Sequence, residues 1–179
     1  GDTFEWCEVP AGEFLYGESD KILMLPSFAI AKYPITYNQF TNFIKDGGFD
    51  RDCSWWDDLL WVNPRTPGEQ EWRFANHPRE NVNWYEAFSF CSWLSQKIDP
   101  KYDVYDIANY AIRLPTEFEW EKAARGIDGR HYAWGSIFEQ ERCNAHNCFG
   151  TTSQVTRYTN GLSPYGAFDM CGNVWEWCL

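Results

Sequence analysis

The chain has 179 residues, 15 Lys plus Arg against 26 Asp plus Glu, a net charge of −11 and an aromatic share of 19% that includes 11 Trp. Its length suits one domain spanning 1–179, its aromatic content excludes a disordered chain, and its charge repels phosphate backbones and anionic lipid heads, which excludes sequence-independent nucleic-acid binding. No apolar run approaches the roughly 18 residues of a bilayer span, and residues 1–6 carry no basic and apolar leader pattern, so the compartment stays open with the cytoplasm favoured.

In chain order, Phe14–Gly17 and Ser27–Ala31 have the length and residue types of half-buried strands. Thr36 followed by Gln39 forms a capping box, and Tyr37, Phe40, Phe43 and Ile44 repeat at helical spacing up to Gly47-Gly48, which predicts a helix over 37–45. The stretch 50–79 is irregular and holds Trp55, Trp56, Trp61 and Trp72 among Pro, Asp and Gly. A loop this long either packs through its own side chains or binds something, so these four indoles are candidates for ligand contact, with core packing the alternative. Asn83 with Glu86 opens a second helix through Leu94 and the polar Ser95-Gln96-Lys97, with Trp84, Ala87, Phe88, Cys91 and Leu94 on its expected buried face. Tyr110–Leu114 reads as a strand, and Thr116 with Glu119 starts a third helix that Gly126 terminates. Residues 127–165 again read as loop.

The seven cysteines are an odd number, so at least one thiol has no partner within the chain. Cys91 sits in an apolar helical pattern and reads as a buried structural thiol. Cys143 and Cys148 are close enough for a disulfide or a metal pair, without the second pair that structural zinc needs. His77, His131 and His146 lie far apart and read as unrelated loop residues. No nucleophile elbow, zinc helix, phosphate loop or dinucleotide fingerprint is present. Glu117, Glu119 and Glu121 suit the favourable charge of a helix N-terminus.

Several segments in fixed order resemble one family. They are Lys32–Phe40, His77-Pro78 with Asn83-Trp84 and Cys91–Leu94, Arg113–Glu121 with Ala123–Gly126, Tyr132–Gly135, and Gly166–Trp177. Together they are similar to the formylglycine-generating enzyme, or sulfatase-modifying factor, superfamily, which includes variable proteins of diversity-generating retroelements. The resemblance implies an α+β, C-type-lectin-like fold with short helices, small antiparallel sheets and much irregular chain. It also implies calcium, held in one site by Asp169, Glu176 and the carbonyls of Gly172 and Val174, an all-oxygen shell suited to a hard cation. A second, weaker site would use Asn144, Asn147 and the carbonyls of Ala145 and Phe149. The same resemblance makes Trp175, Glu176 and Trp177 an internal strand of the core.

Catalytic members of the family oxidise a substrate cysteine with copper held by two cysteines, beyond the segment that matches Asp169–Trp177. The sequence ends at Leu179, so copper enters only if a following segment carries that pair, and no cysteine here is assigned as its ligand. The last strands of the fold are likewise expected to be missing, and the opening Phe4–Pro10 resembles a domain start within a larger polypeptide. Two functions follow as expectations. One is a non-catalytic module that displays loops to a protein or small-molecule ligand on a calcium-stabilised scaffold. The alternative is a copper-dependent oxidase that converts a cysteine to formylglycine.

Overall fold

The computed structural model describes residues 3–18, 21–98, 111–145 and 150–179. Four strands open it: β1 (Trp6–Val9), β2 (Gly12–Tyr16), β3 (Lys21–Leu25) and β4 (Phe28–Ala31). They nest, since β2 and β3 pair antiparallel with Phe14 opposite Leu23, while β1 and β4 pair outside them with Cys7 opposite Ile30. Two-stranded ribbons are marginal alone, and both lean on the third helix. The helices are α1 (Tyr37–Lys45), α2 (Trp84–Lys97) and α3 (Glu117–Arg125), with short 3₁₀ turns at Ser54–Leu59 and Gln140–Arg142. This is the expected α+β arrangement of short helices, small antiparallel sheets and long irregular connections.

All three capping boxes form as the local chemistry predicts. Thr36, Asn83 and Thr116 each accept the N–H of the residue three ahead, and Gln39, Glu86 and Glu119 reach back to the cap. Each box satisfies N–H groups that the first helical turn leaves without carbonyl partners. Gly126 ends α3 at φ 72° with its N–H on the Lys122 carbonyl.

Two apolar clusters follow. One gathers Cys7, Val9, Ala123, Ala124, Ala133, Ala167 and Met170 between the outer ribbon and α3. The other joins α1 to α2 through Phe40, Phe43, Phe90, Trp93 and Leu94, with Phe40 and Phe90 stacked at 5.4 Å. The buried face of α2 is Glu86, Ser89, Phe90, Trp93 and Leu94, rotated from the expected face. Trp84, Ala87, Phe88 and Cys91 are half-buried on its flank. That helix is apolar nearly all round, so tertiary contact and not periodicity selects the inner side.

Buried Lys122, 1% exposed, ties α3 to the β1–β2 turn by donating to the Pro10 and Gly12 carbonyls at 2.8 and 2.9 Å. Gly17 and Arg125 both bond the Glu121 carboxylate. The outer ribbon then hands the chain to the C-terminal part, because the Phe168 N–H donates to the Lys32 carbonyl at 2.8 Å.

Two expected strands are absent. Ala111–Leu114 is irregular, and Tyr110 lies outside the described residues. The segment is tied down by side chains instead: Ser95 Oγ donates to the Ile112 carbonyl at 3.2 Å, and the Arg113 guanidinium forks onto Glu119 at 2.7 and 2.8 Å. Trp175, Glu176 and Trp177 form no strand either, and all three are exposed, so the expected internal core strand is corrected. No described strand runs beside them. Their polar groups are satisfied singly, with Trp177 Nε1 on the Val82 carbonyl and the Leu179 N–H on the Pro115 carbonyl.

Candidate functional site

The Asp169–Glu176 turn is the first candidate. Asp169 and Asn173 are left-handed at φ 56° and 69°, and Gly172 sits at φ 140°. Asp and Asn tolerate that region because their short polar side chains bond locally, whereas Gly172 is required for a second reason. A Cβ there would lie 2.6 Å from the Asn144 carbonyl oxygen. The close approach lets the Asn173 N–H donate to that carbonyl at 2.9 Å.

Asn173 is the hub. Its Nδ2 donates to Asp169 Oδ2 at 2.9 Å and to the Ser153 carbonyl at 3.0 Å, while its Oδ1 accepts the Ser153 N–H at 2.8 Å. Asn144 Nδ2 donates to the Thr151 carbonyl and to Asn173 Oδ1. One amide thus joins three segments distant in sequence, and the sequence reading did not single it out. Its signal was an Asn directly after a Gly in a turn that must curl back on itself.

Asp169 is 8% exposed. Burial pushes its carboxyl up to about 7, against the hydrogen bond from Asn173 and with added repulsion from Glu176. Desolvation likewise raises Glu176, opposed by the indole of Trp120, whose Nε1 donates to Glu176 Oε2 at 2.8 Å. The two carboxyls thus lie on one curled turn, and the charge of Glu176 works against ionisation of Asp169. The Gly172 carbonyl accepts the Val174 N–H at 2.9 Å, which closes the turn between the other two expected ligands. Of the second expected set, Asn144 and Ala145 flank this turn, and Asn147 and Phe149 lie outside the described residues. Among the described residues, no group of three or more His, Cys, Asp or Glu side chains gathers to hold a metal.

The Trp-bearing stretch is the second candidate, and the structure divides its four indoles. Trp56 is 0% exposed, with Nε1 on the Gly48 carbonyl at 2.9 Å. Trp55 is half-buried against Phe43, and Trp72 is half-buried with its backbone N–H donating to Glu80 Oε2 at 3.4 Å. Trp61 is 76% exposed, beside exposed Leu60, and Phe74 is exposed further along the stretch. Trp56 therefore anchors the loop and Trp61 is presented by it. Buried Gln70 fixes the far end by donating to the Pro78 carbonyl at 2.9 Å and accepting the Glu80 N–H at 2.8 Å. Gly68 has no room for a side chain, since a Cβ would meet the Asn81 carbonyl at 2.4 Å.

The remaining titratable residues are dispersed. His77 Nδ1 meets Thr152 Oγ1 at 2.9 Å, and burial lowers its basicity. His131 is exposed, and His146 and Cys148 lie outside the described residues. Desolvation pushes the Cys91 thiol up to about 12 and also raises Cys171 and Cys178. Raised thiols are poor nucleophiles at neutral pH.

The model of the sulfatase-modifying factor enzyme 1-like domain matches residues 2–179. The formylglycine-generating enzyme of Thermomonospora curvata is 27% identical over 95% of this chain and 69% of its own length. The inactive C-alpha-formylglycine-generating enzyme 2 of Bos taurus is 25% identical over 99% of this chain and 71% of its own length. Among solved structures, variable protein 1 of Treponema denticola superposes with a TM-score of 0.65 at 22% identity, covering 98% of this chain and 72% of that one. No helix among the described residues is long and apolar enough to cross a membrane.

Proposed function

Because this chain belongs to the sulfatase-modifying factor family, we propose that it is a binding module of that fold, presenting the loop over residues 50–79 to a protein or small-molecule ligand. The observation that carries this reading is the division of the Trp loop. Trp56 and Gln70 are locked into the interior, while Leu60, Trp61 and Phe74 face solvent. Large apolar side chains held outward by a rigid base are what a recognition surface uses, because little ordering entropy remains to be lost on binding. The likeness in fold to a protein titled a variable protein supports the same reading.

Calcium is assigned to the turn below. Asp169 and Glu176 would hold it with the carbonyls of Gly172 and Val174, and its charge would offset the repulsion that Glu176 exerts on buried Asp169. Its role there is to fix the turn that Asn173 already ties to Ser153 and Asn144. Similarity alone does not assign turnover, since this chain resembles a formylglycine-generating enzyme and an inactive counterpart to nearly the same degree.

The experiment is selection of binders to the whole chain from a displayed random-peptide library, followed by rebinding to Trp61→Ala and Phe74→Ala. Clones selected on the parent should lose binding to one or both variants while their melting temperatures match the parent. Clones that bind the variants equally well would overturn the assignment of this face.

A further inference from the structure

A cavity of about 270 Å³ lies beneath the displayed loop, between the Ser54–Leu59 turn, the run 62–65 and the first turn of α2. Trp56, Val62 and Pro64 supply apolar wall, and Tyr85, Glu86 and Arg65 supply polar groups. Such a volume lies under the roughly 300 Å³ at which pockets for drug-sized ligands begin, so it suits a compact occupant.

Its two charged residues decide what that occupant is. Glu86 is 5% exposed. It accepts the Asn83 N–H at 3.0 Å, and among the described residues no cation pairs with it at contact distance. Arg79 attracts it only from further away, while burial raises its carboxyl. A buried carboxylate with no ion-pair partner is costly unless something else meets it. Arg65 lines the same cavity, is exposed, and makes no ion pair among the described residues, although the chain carries 26 acidic residues.

We infer that this cavity binds a small zwitterion with an apolar side chain, a free α-amino acid, whose ammonium meets Glu86 and whose carboxylate meets Arg65. A simple amine is disfavoured by Arg65 and a simple carboxylate by Glu86, so the pair selects a ligand carrying both charges. The apolar side chain then lies against the half-buried Val62 and Pro64. This inference rests on the recognition role of the loop, whose floor the cavity forms, but it concerns a different set of residues from Trp61 and Phe74.

The test is a calorimetric titration of the full chain with leucine and phenylalanine, each compared with its N-acetyl and its amide derivative. Saturable binding of the free amino acids is expected, weakened at least about tenfold by either blocking group, the step that one unit of log affinity represents. Glu86→Gln keeps an N3 residue that serves a capping box, and Arg65→Ala alters an exposed side chain, so both should fold. Each should weaken binding by a similar factor. Equal binding by both variants, equal binding of blocked and free ligands, or no saturable heat at millimolar amino acid would overturn the inference. In any of those cases, library peptides that still depend on Trp61 would leave the display role standing, and their loss together would remove both.

Discussion

Replacing Asp169 by Asn tests whether the curled turn is a proton-holding and calcium-holding device. The folded carboxyl stands near 7 against an ordinary value of 3.8, so the folded state holds its proton more tightly than the unfolded chain. A raised value of this kind contributes stability that is fully present below the ordinary value and is lost as pH climbs through about 7. Each pH unit of displacement corresponds to about 1.4 kcal/mol, so the shift of roughly three units sets an upper bound of about 4 kcal/mol on the loss. In a chain of this length 1 kcal/mol moves the melting temperature by about 2 to 4 °C, which bounds the decline at about 8 to 16 °C. With EGTA present, thermal melts should therefore fall between about pH 4 and pH 8 for the parent and fall less for Asp169→Asn. Millimolar calcium should reverse the trend in the parent, because a metal requires the ionised carboxylate, and should leave the variant unmoved. An Asn variant with the parent's full pH dependence in EGTA would refute the assignment of that proton, and a parent insensitive to calcium at pH 8 would refute the metal.

The other substitutions read the scaffold. Trp56→Ala removes a fully buried indole and should cost about 3 to 5 kcal/mol in chemical denaturation, whereas Trp61→Ala should stay within about 0.5 kcal/mol of the parent; equal losses would contradict the division of the loop. Lys122→Met leaves the Pro10 and Gly12 carbonyls without their buried donor and should lower stability by about 1 to 3 kcal/mol. A more stable Met variant would show that burying the ammonium costs more than its two bonds return.

What the sequence disclosed was governed by range. Thr36 with Gln39, Asn83 with Glu86, and Thr116 with Glu119 are decided within four residues, and the helices start where those pairs place them. The strands read at 14–17 and 27–31 exist as β2 and β4 with shifted ends, whereas β3, their neighbour at Lys21–Leu25, was not read. The inner face of α2 was not, because Phe90 and Trp93 are chosen by Phe43 across a helix interface. The strand expected at 110–114 yields to side-chain ties from Ser95 and Glu119. At the site, Asp169, Gly172, Val174 and Glu176 were brought forward by resemblance and do share one turn. Asn173 was overlooked because its role depends on Asn144 and Ser153, which no local pattern connects to it. The four indoles were legible as a group, and only packing separates Trp56 from Trp61.

The bond from Lys122 to the Pro10 and Gly12 carbonyls has a consequence for how the molecule is made. The anchor of the N-terminal ribbons is more than a hundred residues downstream of the turn it holds, and neither two-stranded ribbon is stable by itself. On a ribosome, the first 31 residues therefore wait, unpaired or transiently paired, until α3 has emerged, at about 5 to 20 residues per second several seconds later. During that interval Ile22 and Met24 of β3, exposed even in the finished fold, have only β2 beside them to pair with. Synthesis rate and chaperone supply, more than the final stability of the fold, should then set how much of this chain is recovered folded.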